Sequence, residues 1–223
     1  FAAYSLNLLF FSKNYYPERF NEKLNKNDNR ITGRFSFLEK YGTIGELIQL
    51  QMRLIFRHKR TKSLIVMSAF FLLYGLLFYT NDIYAENAGW LVFIGLVLTG
   101  MASMMYGQWA ISWESNYFDA IMTKNLDART YIKTYFTILI AFNLISFTLT
   151  TPYFFIGMKI VYLHLAMLLY NTGVNVFLML YFASYNNKRI DLMANSSFNY
   201  QGTSYKSFLL VLPLMGLPPL LAF

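Results

Sequence analysis

The chain has 223 residues, of which 56% are hydrophobic and 13% charged, with 19 Lys and Arg against 11 Asp and Glu for a net charge of +8. Soluble domains carry about 25% charged residues, so this composition points to lipid rather than water as the solvent. There is no cysteine, which excludes disulfides and thiolate metal sites. The positive charge does not read as a nucleic-acid footprint, because twelve of the 19 basic residues lie between 13 and 62, beside an apolar block, where they set orientation and attract anionic headgroups.

In chain order, residues 1–12 are apolar without a basic leader or a small-residue cleavage site, and read as the end of a preceding transmembrane helix rather than a signal peptide. Residues 13–42, rich in Asn, Lys and Glu, read as a cytoplasmic linker. Over 43–62 the pattern becomes helical: Ile44, Leu47, Ile48, Met52 and Ile55 mark one face, and Glu46, Gln49, Arg53, Arg57 and Arg60 the other. Such a connecting helix lies in the interface with its arginines at headgroup depth, and the basic cluster Arg53, Arg57, Lys59, Arg60 and Lys62 anchors it there. A soluble helix packed on a neighbouring domain would carry the same pattern.

A spanning helix needs about 20 mostly apolar residues. Segments 63–80, 88–111, 134–151 and 160–183 meet this, and a fifth, 207–223, is expected to be truncated. The expected fold is all-α, a polytopic transmembrane helix bundle with an interfacial amphipathic helix. Alternate loops place eighteen basic residues on one side and one on the other. By the positive-inside rule the rich side is cytoplasmic.

Inside the spans, Gly95, Thr99, Ser103 and Gly107 recur at every fourth position and predict a face for close helix packing, with substrate lining as the minority alternative. His164, Asn171 and Asn175 share one face of the fourth segment. That face either lines a translocation path or carries interhelical hydrogen bonds. Tyr79, Tyr84, Trp90, Trp109, Trp113 and Tyr153 fall near segment ends, as an aromatic belt would. No charge sits at the centre of any complete segment, which argues against a proton- or cation-driven secondary transporter.

No catalytic constellation is present in the sequence. His58 and His164 fall on opposite sides of the predicted membrane, so they cannot form a paired-His metal site, and there is neither a phosphate-binding loop nor a Ser flanked by glycines. Glu114 and Asp119, five apart, read as solvated or capping carboxylates rather than an acid–base pair.

The stretch Tyr106-Gly-Gln-Trp-Ala-Ile-Ser-Trp-Glu, continuing through Asp119 and Lys124 to Lys133, resembles the cytoplasmic turn of ABC-2-type permeases, where a Glu ends one helix, a short helix follows and a Lys opens the next. The stretch 37–223 resembles an uncharacterised bacterial membrane family grouped with those permeases. The resemblance implies that 114–126 is a coupling helix docking on a separate ATP-binding cassette ATPase subunit, with Glu114, Asp119 and Lys124 as contacts. The usual Gly and Pro of that segment are absent, and Asn116 and Asn125 stand in comparable surroundings. It further implies an inner-membrane exporter subunit that is not itself an enzyme, has no cofactor or metal of its own, depends on ATP bound to the partner, and pairs with a second permease half or a second copy. A non-transporting membrane scaffold or assembly factor is the competing reading.

Overall fold

A computed structural model describes residues 35–114, 118, 123, 126–186, 190 and 212–222, and these form helices and turns without a strand. The chain divides into two compact units, Phe1–Arg53 and Leu54–Phe223. In the first, a 3-10 turn over Ser36–Tyr41 meets helix α1 (Gly42–Arg57) at Gly42, whose φ of 61° is one that a side chain disfavours. The expected preceding helix at 1–12 and most of the linker lie outside the described residues.

Helix α1 stops at Arg57, five residues short of the expected end at 62. His58 takes an extended conformation (φ −93°, ψ 131°), and α2 (Lys59–Phe71) opens immediately after it. Thr61 explains the corner. Its buried hydroxyl lies 3.0 Å from the Leu54 carbonyl, near the end of α1, and 3.1 Å from that of His58, and so ties the first turn of α2 back across the corner. Lys59, Arg60 and Lys62 therefore belong to the first turn of the first span. Burial, and then the Arg57 charge, hold the His58 imidazole below its ordinary pKa, so the corner residue itself is neutral at pH 7.

Four helical segments are long and apolar enough to cross a membrane: Lys59–Tyr79, Ala88–Glu114, Ala128–Leu149 and Met158–Ser184. The protein is an all-α membrane helix bundle. The first span is broken at Leu72 and Leu73 between α2 and α3 (Tyr74–Tyr79). Tyr153 covers the break from the far loop, donating its hydroxyl to the Leu72 carbonyl at 2.5 Å. A single turn, α4 (Asp82–Ala85), precedes α5 (Ala88–Gly107), which is capped by the Asn87 side chain accepting from Trp90 N at 3.2 Å. Helix α6 (Ala128–Leu149) forms the third span. The fourth consists of α7 (Met158–Tyr170), a π-helical turn at Asn171–Asn175 and α8 (Val176–Ser184). Within the expected fifth span, the described part is a π turn over Leu212–Gly216 leading into α9 (Leu217–Ala222), which packs on α5.

The second span is the axis of the bundle: 56% of its apolar window is buried, against 17% for the first. Large apolar residues on the outer faces, such as Leu77, Leu169 and Phe177, stay exposed, as lipid allows. The aromatic belt is only partly realised. Trp90 is exposed, but Tyr79, Trp113 and Tyr153 are buried, because their polar atoms find partners inside the bundle.

Of the stripe, Gly95 and Thr99 meet the fourth span, and Gly107 meets both the third and the fourth. The tightest approach along this span is at Gly100, just beside the stripe, where an added Cβ would lie 2.6 Å from Asn171 Oδ1. Gly100→Ala should therefore cost about 1–3 kcal/mol through overpacking. Gly173→Ala, which enters open space, should be neutral or stabilising by up to about 1 kcal/mol. Thermal melts of the purified variants in detergent check this; equal midpoints would contradict the packing described.

Candidate functional site

The register of the inner spans can be read at Gly107. A Cβ there would meet Leu139 Cδ1 and Cδ2 and Met179 Sδ, each at 3.1 Å. One turn toward the end poor in basic residues, the same faces present Ser103, Asn143 and Asn175, all completely buried. A further turn brings Thr99 level with Asn171, and their side chains are bonded at 2.8 Å. A polar seam thus follows the axis, and Ser146 and Thr150 continue it along α6.

Its members are held in fixed directions. Asn171 Nδ2 donates to the Leu96 carbonyl at 3.0 Å and to Thr99 Oγ1, while its Oδ1 accepts from Asn175 Nδ2 at 2.7 Å. Asn175 also donates to the Leu214 carbonyl at 3.3 Å, tying in the last described helical segment. Farther along, Thr150 Oγ1 donates to the Phe147 carbonyl at 2.8 Å, so its oxygen is left to accept from His164 Nδ1 at 3.1 Å. With Nδ1 as the donor, Nε2 is the acceptor for the Tyr79 hydroxyl at 2.7 Å. The imidazole is completely buried among the rings of Tyr79, Tyr153 and Phe154. Both ring nitrogens are committed, which leaves no lone pair for a metal, and no cluster of metal-ligating residues occurs among the described residues.

At the opposite end, Glu114 is completely buried. Its carboxylate accepts from the hydroxyls of Tyr131 and Tyr135 on α6. The preceding Trp113 donates Nε1 to the Tyr106 carbonyl at 3.1 Å, stacks on the Tyr106 ring, and lies under the guanidinium of Arg60, 5.8 Å from the ring centroid. Ser112 Oγ reaches the Asn186 carbonyl at 3.4 Å. This corner therefore joins all four spans.

A family model described as a family of unknown function (DUF5687) matches residues 1–223. The chain belongs to the DUF5687 family. Neither a curated protein nor a solved structure matches it.

Two sequence-based assignments change in this DUF5687 chain, and a third, left open between two alternatives, takes its hydrogen-bonded form. Glu114 is not an exposed contact for a partner; two tyrosines 17 and 21 residues farther on enclose it. Arg60 leaves the headgroup cluster, because its side chain is buried against Trp113, whereas Arg57, Lys59 and Lys62 are exposed and Arg53 is half-buried. His164, Asn171 and Asn175 line no open path, since all three are completely buried and bonded to neighbouring segments. Asp119 and Lys124 lie outside the described residues. The residue that sequence reasoning missed is Asn143. Its position three before Ser146 and seven before Thr150 puts all three on one face of α6, which is the signal that could have found it.

Two variants test the bonding. Tyr79→Phe strands His164 Nε2 in an apolar site and should cost about 1–3 kcal/mol. Glu114→Leu removes the acceptor of two buried hydroxyls and should cost more, about 2–5 kcal/mol. Chemical denaturation in mixed micelles would measure both; wild-type stability for Glu114→Leu would refute the buried carboxylate.

Proposed function

We propose that the chain is a membrane-spanning permease subunit of an ABC-type exporter, set multi-pass in a bacterial inner membrane with its basic loops in the cytoplasm. A separate ATPase subunit would bind the ATP, and this chain would move substrate outward when that partner closes against the 114–126 turn. The observation that carries the reading is the charge asymmetry across four apolar spans, eighteen basic residues against one, preceded by an amphipathic helix that turns sharply into the first span. The resemblance of the 106–133 stretch to the ABC-2 coupling turn supplies the choice of class. With Glu114 buried, contact with the ATPase falls to Asp119 and Lys124, while Glu114 ties the start of the turn to the third span. Docking force that reaches Glu114 would then pass to the third span through its bonded side chain.

A second reading, a non-transporting scaffold or assembly factor, draws support from the polar seam, whose bonds close the fourth span against its neighbours. One pair of experiments separates them. Isolated from its native membranes, the tagged protein should bring down a subunit with an intact nucleotide-binding cassette and ATP hydrolysis, and Asp119→Arg combined with Lys124→Glu should abolish both. Retention of both in that variant would remove the docking assignment. Because the chain has no native cysteine, Asn171→Cys and Asn175→Cys can be probed singly with a membrane-impermeant thiol reagent during ATP turnover. Labelling supports a path that opens; complete protection favours the scaffold.

A further inference from the structure

We propose that the level of the bundle at Ser103, Asn143 and Asn175 is a binding site for water, enclosed between the second, third and fourth spans. Asn143 is completely buried, and neither its amide oxygen nor its amide nitrogen has a hydrogen-bond partner. Asn175 is equally buried, and its amide cannot be turned over. Nδ2 already donates to Asn171 Oδ1 and to the Leu214 carbonyl, so Oδ1 is the atom left over. The register set by Gly107, Leu139 and Met179 puts the two asparagines one turn along, on the facing sides of α6 and the fourth span. Three polar atoms thus converge on one level in a part of the molecule where lipid, not water, surrounds the bundle. Leaving them unanswered there is strongly unfavourable.

The atoms select the ligand. Two amide oxygens call for donors, and one amide nitrogen calls for an acceptor. A cation at this level would face the Asn143 N–H groups, and an anion would face the two oxygens. A neutral molecule that both donates and accepts answers all three, and burial on every side restricts it to the smallest such molecule, water. The Ser103 hydroxyl, donated to the Gly100 carbonyl at 2.8 Å, offers its oxygen as one more acceptor. The π turn ending at Asn175 is a local widening of the helix, the kind of irregularity that gives such a molecule room. The site stands whether the chain is a permease or a scaffold.

The test is magic-angle-spinning NMR of the protein reconstituted in bilayers with ¹⁵N-labelled asparagine, following magnetisation transfer from water to side-chain amides. The Asn143 signal is the one lost in Asn143→Leu or, should that variant not fold, in Asn143→Gln. Transfer to Asn143 should build up several-fold faster than to Asn171, whose amide protons are both held by protein oxygens. Equal build-up would mean a dry level and would overturn the proposal. Replacing sodium by choline in the buffer should leave the Asn143 and Asn175 signals in place; displacement of either would assign the site to a cation instead.

Discussion

Inside a bilayer a polar group that finds no partner in its own chain finds none at all, and this constraint organises the bundle. It accounts for the position of His164, a neutral imidazole held between Tyr79 and Thr150 and walled in by aromatic rings. It also accounts for the direction of Asn171, whose amide is answered by a carbonyl and a hydroxyl of the second span. The small residues of that span follow from the same need. Only where Gly100 and Gly107 remove bulk can the other helices come near enough for side chains to bond across. Packing and hydrogen bonding are here a single requirement, met on one face of one helix.

The two ends of the bundle meet the requirement differently. Near the basic-poor loops the partners are a phenol, an imidazole and a hydroxyl, with Tyr153 reaching back to the Leu72 carbonyl at the break in the first span. Near the basic side a carboxylate is buried outright, enclosed by tyrosines of the third span, with the arginine of the first span laid over the neighbouring indole. A buried carboxyl group is answered by few arrangements other than the one that supplies its partners. Here it holds the end of the second span against the third.

How much of this could be read in the sequence depends on the range of the interactions. The four spans rest on local composition, and their bounds were legible to within four residues except at the start of the third, which opens six residues earlier than expected. The stripe from Gly95 to Gly107 and the shared face of His164, Asn171 and Asn175 rest on helical spacing, and were legible too. The corner at His58 was not, because no Pro or Gly marks it and a threonine three residues later closes it. Glu114 was misplaced for a related reason. At the end of an apolar run it has the look of a solvated residue, and only Tyr131 and Tyr135, brought back by the third span, make it internal. Asn143 escaped notice as a lone amide in an apolar helix; its meaning comes from the two spans it faces.

The seam also bears on how the bundle could move. Bonds running from Thr99 through Asn171 and Asn175 to Leu214, and from Tyr79 through His164 to Thr150, cross between every inner element of the described unit. Sliding one of these helices past another would strand several buried polar atoms at once, each at a cost of about 1–3 kcal/mol. The outer face of the first span carries no such obligation: Val66, Phe70, Leu73 and Leu77 are exposed and apolar, and exchange one hydrocarbon neighbour for another without loss. In the permease reading, the bonded core is then the rigid body and rearrangement falls to the surfaces around it.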